Sequence, residues 1–339
     1  IRVSVDPAGG FWASGSNGVI SRRTASGWVP ENTGSNAQSF EAIDFAADGS
    51  GFEVGNSPSV IYRRSAAGVW STQAISNSTI LGHVGVAGSN FAVTTGSSTN
   101  GGVGFQWNGA TWTPISFPIA NFRPSNLLVV SATEAYIAGR TGTDPLTNTR
   151  YTILQWNGTA WSVLFQRPIE AYAGATGIVR CGDGTIYFGT QWGTIYRKQG
   201  ATFGVLPGER AYNTSATLFC ESDNSLWVSI SSFERRLLRY NAGAWEVKRF
   251  IPDVTGLAVG ANGQLFVTTP FGVARSTGSS WDYTLTPIPN GAPVFIAPRV
   301  FASGAQAVVG GAPAGWFNGT AWQWSSPTPA RGTRAMWGP

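Results

Sequence analysis

One short hairpin keeps returning in this chain, and its spacing limits what the chain can fold into. Gln106-Trp107-Asn108-Gly109-Ala110-Thr111-Trp112 comes back as Gln155-Trp156-Asn157-Gly158-Thr159-Ala160-Trp161, and again as Trp316-Phe317-Asn318-Gly319-Thr320-Ala321-Trp322. Asn-Gly between apolar residues marks a tight hairpin, and a type I′ turn with positive φ at both central residues is the expected form. Weaker copies occupy 22–28, 63–70, 197–203, 240–245 and 275–281, each closing on an aromatic. The closing residues are Trp28, Trp70, Trp112, Trp161, Phe203, Trp245, Trp281 and Trp322. They recur roughly every 40 residues, the period of arrays that repeat a small sheet.

Each repeat divides into four short strands, named A to D from the ring axis outwards. In the first, Ile1 to Asp6 alternates apolar and polar residues, Phe11 to Gly15 follows a Gly-rich turn, Val19 to Arg23 follows a second, and the Trp28 strand completes the sheet. A sheet that is apolar on both faces cannot bury either face alone, whereas a closed ring of such sheets buries both. The expectation is an all-β protein, an eight-bladed β-propeller of four-stranded antiparallel sheets in a single domain, 1–339. Val3, Ile43, Val86, Ile178, Leu257 and Phe295 are placed on inner strands, and Arg140 to Arg150 is an insertion between strands B and C of repeat four. Arg334-Ala335-Met336-Trp337, in the tail 330–339, reads as the start of a further inner strand, which either packs across the ring junction or belongs to a longer native chain.

Composition narrows the function. Charged residues make up 12% of the chain, and the net charge of +5 is carried by Arg rather than Lys, only Lys198 and Lys248 being lysines. No basic run suggests nucleic acid, and no apolar stretch is long enough for a transmembrane helix. The two cysteines, Cys181 and Cys220, fall at similar places in successive repeats. Packed sheets stand roughly 10 Å apart, beyond the ~7 Å Cα limit of a bridge. Free buried thiols are therefore the expected state, with a disulfide as the alternative. Two cysteines are too few for a zinc site, and neither a metal nor a cofactor is expected.

Three stretches carry a family resemblance. Ile1-Arg2-Val3-Ser4-Val5-Asp6, Gly10-Phe11-Trp12 and Gly18-Val19-Ile20-Ser21-Arg22 together are similar to the tectonin repeat of β-propeller lectins. The Gly-x-Ile pattern of Gly193-Thr194-Ile195, followed by a hairpin, resembles the wider group of BNR and photosystem-assembly-factor propellers. The resemblance implies a propeller and a lectin-like recognition role. Sialidases carry an Asp-box in the same hairpin, but here the turns read Asn108-Gly109, Asn157-Gly158 and Asn318-Gly319, without its Asp.

Candidate sites follow from the ring. Counting six residues back from each closing aromatic gives Arg22, Arg64, Gln106, Gln155, Arg197, Arg239, Arg275 and Trp316. The arginines there are expected to cover neighbouring aromatics, with a ring of identical ligand sites as the alternative. The D–A and B–C loops share one face of the ring, and that face is the expected binding surface, because loops on a rigid scaffold commonly carry recognition. Its ligand-binding candidates are Trp192, Phe233, Phe271, Arg140, Arg150, Tyr172, Arg210 and Tyr212, with Arg167 alongside. Asp144, Glu170 and Glu209 are the carboxylates an enzyme would use. The only histidine, His83, lies in an inner strand, and Asp6, Asp48, Asp183 and Asp223 sit at A–B turns, where Asp is ordinary turn chemistry. The reading is a non-catalytic, extracellular or cell-surface bacterial module. It binds carbohydrate first and a protein partner second, with a sialidase-like hydrolase or lyase third.

Overall fold

The computed structural model describes residues 2–15, 19–25, 27–33, 39–56, 60–75, 80–99, 101–142, 149–168, 175–190, 193–207, 216–221, 223–230, 236–250, 254, 256–260, 263–269, 272–277, 280–285, 300–309 and 315–324. Eight four-stranded sheets account for nearly all of them, each built from four strands consecutive in the chain. Every pairing is antiparallel, from Arg2–Val5 against Phe11–Ser14 in blade 1 to Gly315–Phe317 against Trp322–Trp324 in blade 8. The A strands of neighbouring blades touch all the way round, and that of blade 8 touches that of blade 1. The ring is therefore an eight-bladed propeller. It closes by packing, since no sheet among the described residues borrows a strand from the other end of the chain. No described helix is long and apolar enough to cross a membrane.

The closing aromatics explain the packing. Each lies against the preceding blade: Trp70 on Trp12 with ring centroids 6.3 Å apart, Trp112 on Phe52 at 5.0 Å, Phe203 on Phe165 at 4.9 Å and Trp322 on Phe266 at 6.2 Å. Trp161 joins Phe91 and Val93, Trp245 joins Tyr187 and Ile195, and Trp281 joins Trp227 and Leu237. Trp28 joins Val308 of blade 8, so the same contact seals the ring. Blades splay as they leave the axis, and a D-strand aromatic is large enough to fill the wider outer gap. Near the axis the gap is narrower. There the Asp44 carboxylate in strand A of blade 2 accepts the Val86 N–H of blade 3 at 2.8 Å, and burial pushes the carboxyl up to about 6.

The polar ends of the blades are closed locally. Asp6 accepts from Gly10 N and Trp12 Nε1, Asp48 from Ser50, Asp183 from Thr185 and Asp223 from Ser225, the expected turn chemistry. The recurring Asn-Gly turns differ from expectation. Trp107 pairs with Trp112, which leaves four residues in the loop, and only Gly109 takes positive φ, at 96°. The Asn108 Oδ1 accepts the N–H groups of Ala110 and Thr111, replacing backbone bonds that a tighter turn would make. Asn157 and Asn318 do the same. The two-residue turn with positive φ at both positions appears instead at Ala242-Gly243, between paired Asn241 and Ala244.

One further expectation is corrected, and one lies outside the described residues. The inner strand of blade 8 is Val300–Ser303, paired with Gln306–Val309 across the two-residue turn at Gly304-Ala305, while Phe295 lies outside the described residues, as does the tail 330–339. Cys181 and Cys220 form a disulfide between blades 5 and 6, with Cα atoms 5.2 Å apart. The 10 Å spacing of flat stacked sheets does not hold beside the axis, where strand A of one blade converges on strand A of the next. The bridge spans 39 residues, and closing a loop of that length removes about 4 kcal/mol of unfolded-chain entropy. Replacing both cysteines by serine should lower the free energy of unfolding in urea by a few kcal/mol, on the order of 2–4. An unchanged midpoint would mean that the blade 5–6 junction holds without the bridge.

Candidate functional site

Blade 4 differs from its neighbours at the end where the D–A and B–C loops emerge. Its strand A is Arg123–Ser131, strand B Glu134–Thr141, strand C Arg150–Trp156 and strand D Trp161–Pro168. Strand D is eight residues long, against three in blade 3 and four in blade 5. The insertion expected between Arg140 and Arg150 is thus partly sheet, and Arg167 belongs to strand D rather than to the D–A connection.

Strand register brings the basic residues together. Arg123 stands directly opposite Arg140, Arg140 opposite Tyr151, and Tyr151 opposite Arg167, a single row across all four strands. Residues so paired have Cβ atoms about 4.5–5.5 Å apart on one face of the sheet. This face is turned towards blade 5, since Tyr151 stacks on Tyr196 at 5.7 Å and 14° between planes. Arg167 donates to the Tyr196 hydroxyl at 3.2 Å. The Tyr151 hydroxyl is buried without a hydrogen-bond partner, and burial holds it protonated far above the ordinary tyrosine range.

The other face of the same strand ends looks towards blade 3. An open cavity of about 280 Å³ lies there, lined by Ile119, Ala120, Asn121, Thr141, Gly142, Arg150 and Gln166. The Gln166 Nε2 donates to the hydroxyls of Thr141 and Thr152, each at 3.3 Å, and these hydroxyls lie 3.4 Å apart. Gly139, one residue before the row, is required by the backbone: a Cβ there would meet the Arg123 carbonyl oxygen at 2.2 Å.

Among the described residues no acid stands beside the charges on this edge. Among the described residues Arg123, Arg140 and Arg150 form no side-chain hydrogen bond or ion pair, and none of 121–126, 139–142, 149–152 or 165–168 is acidic. The repeat-position arginines behave otherwise. Arg64 and Arg22 lie over the Trp12 ring at 5.0 and 5.6 Å, Arg239 over Trp227 and Arg275 over Phe317. Arg239 also pairs with Glu221 and Asp223, and Arg275 with Asp282. These four of the five cover aromatics, as expected, and two of them are neutralised.

Of the candidates taken from sequence, Arg140 and Arg150 fall on this edge, on opposite faces of the blade. Trp192, Phe233, Phe271, Tyr172, Arg210 and Tyr212 lie outside the described residues, and so do Asp144, Glu170 and Glu209. Arg123, Asn121, Thr141, Tyr151 and Gln166 were missed as site residues, because only the strand register joins them. Among the described residues no group of three His, Cys, Asp or Glu gathers where it could hold a metal ion. His83 sits in strand A of blade 3 and its carbonyl accepts from the Thr94 hydroxyl at 2.7 Å.

No protein-family model matches the chain, and no curated protein does either. Solved structures do. The computationally designed Ika8 protein superposes with a TM-score of 0.66 at 11% identity, over 91% of this chain and 92% of that one. Virginiamycin B lyase from Staphylococcus aureus gives 0.55 at 13%, over 91% and 90%. YCF48 bound to D1 peptide gives 0.51 at 16%, over 79% and 87%. At such identities the likeness is one of fold. It meets the resemblance to photosystem-assembly-factor propellers at that level, while the tectonin resemblance stays with the motifs.

Like charges directly opposite in a sheet are destabilising by a few tenths of a kcal/mol up to about 1 kcal/mol. Arg140→Thr should therefore raise stability by about 0.2–1 kcal/mol at low ionic strength, and the gain should shrink at about 0.5 M salt. A loss of stability in urea unfolding would make Arg140 a structural residue instead.

Proposed function

We propose that this chain is a non-catalytic recognition module that works outside the cytoplasm and binds a partner protein through the loop face of its ring. The edge of blade 4 takes an acidic segment of that partner. The observation that carries this reading is the Arg123–Arg140 pair: two arginines directly opposite each other in the sheet, with no carboxylate among the described residues of the strand ends around them. A folded protein gains nothing from such a pair by itself, whereas an anionic partner neutralises both and gains charge-assisted hydrogen bonds. Arginine clusters are a recurring means of holding acidic motifs. The fold is compatible with the role, since YCF48, a ring of similar fold, has been solved bound to a peptide. The disulfide supports an oxidising compartment.

Carbohydrate, the first choice from sequence, keeps one observation in its favour, the cavity on the blade 3 side. A hydrolase or lyase has less support, because the described part of the loop face brings together arginines, hydroxyls and amides but no carboxylate.

Synthetic peptides rich in Asp and Glu, with amide-substituted copies as controls, test the reading by fluorescence anisotropy. Acidic peptides should bind, and raising the salt should weaken them. Charge reversal in Arg123→Glu/Arg140→Glu should cost at least about tenfold in affinity, roughly 1.4 kcal/mol. Peptide binding indifferent to the reversal, or a strong glycan-array response with no acidic-peptide binding, would sink the proposal.

A further inference from the structure

The cavity between blades 3 and 4 has its own hydrogen-bonding character, distinct from that of the arginine row. Gln166 spends its Nε2 hydrogens on Thr141 and Thr152, so the pole of its amide left for a ligand is the Oε1 acceptor. Thr152 in turn donates to the Arg150 carbonyl at 3.4 Å, which fixes the direction of that small network. Thr141 and Thr152 are both buried, and their hydroxyls set the amide from behind. Beside this acceptor stands Arg150, an exposed guanidinium with no ion-pair or hydrogen-bond partner among the described residues, whose planar fork suits a carboxylate. Asn121, held at φ 55° in the blade 3–4 connection, presents an amide with both poles, and Ile119 and Ala120 supply an apolar wall.

The complement of that lining is a molecule with a carboxylate, hydroxyl donors close to it and a face of C–H groups. At about 280 Å³ the open cavity lies just below the usual range of ligand sites, about 300 to 1,000 Å³. It has room for one ring rather than a chain. We propose that this cavity is a binding site for a single acidic sugar residue, a hexuronate. Arg150 receives the carboxylate, Gln166 Oε1 and Asn121 take ring hydroxyls, and Ile119 and Ala120 lie under the C–H face.

This site goes beyond the protein-binding reading and does not depend on it. Arg123 and Arg140 face blade 5 and Arg150 faces blade 3, so the two sites can be broken separately. A free carboxylate on a partner's side chain offers the same charge without the hydroxyls, and a simple acid distinguishes the two sources.

Isothermal titration with D-glucuronate, D-glucose and acetate tests the assignment. Glucuronate should bind with a dissociation constant no weaker than about 10 mM, and at least about tenfold more tightly than glucose or acetate. Arg150→Gln, an exposed substitution, should abolish that binding with an unchanged melting temperature. Arg123→Gln/Arg140→Gln should leave it intact while weakening acidic peptides. Equal binding of acetate and glucuronate would reduce the cavity to a plain carboxylate site and overturn the proposal. So would glucuronate binding that survives Arg150→Gln, or no binding at the concentrations tried.

Discussion

Everything in this molecule depends on one repeated contact, the closing aromatic of each blade against the blade before it. A four-stranded sheet with two apolar faces has no stable existence alone, and the Trp or Phe at the first or second position of each D strand fills the space that opens as two such sheets diverge from the axis. The contact between Trp28 and Val308 is the same contact made between the last blade and the first. Because the sheets are each continuous in the chain, it bears the closure of the ring without a shared strand. The disulfide between Cys181 and Cys220 and the Asp44 bond to Val86 add ties near the axis, where the gap is too narrow for an indole.

A ring held this way leaves its two faces free to differ. On the turn face, carboxylates and indoles satisfy one another: Trp227 donates to Glu221 at 2.8 Å, Trp12 to Asp6 at 2.9 Å, and Arg239 pairs with acids of the A–B turn. On the loop face, buried hydroxyls such as Thr190 and Thr269 close the strand ends on their own backbone. Blade 4 breaks the pattern. Its strand ends carry Arg123, Arg140 and Arg167 in one row with Tyr151, and Arg123 stands directly opposite Arg140. Such a locally unfavourable arrangement on a rigid support is where binding is to be sought.

Sequence made the architecture legible because each repeat carries its own hairpin and its own aromatic, and both signals are local. The errors came where the geometry is not local. Asn108 reads as half of a two-residue turn until the Trp107–Trp112 pairing shows four residues in the loop, with the Asn side chain doing the work of a backbone carbonyl. The cysteines read as too far apart on a picture of parallel sheets, whereas wedge-shaped blades meet at the axis. At the site, Arg140 and Arg150 stood out because they bracket a break in the repeat. Arg123 and Tyr151 did not, since their place beside Arg140 depends on a register that the insertion conceals.

The central claim is that recognition belongs to the loop-side edge of blade 4 and leaves the rest of the ring as support. Amide hydrogen exchange, with and without a saturating acidic peptide, tests it most directly. Slower exchange at 139–141 and 150–152, with the A–B turns at Asp48, Asp183 and Asp223 unchanged, is the predicted result. Protection confined to those turns, or spread evenly over all eight blades, would contradict the account.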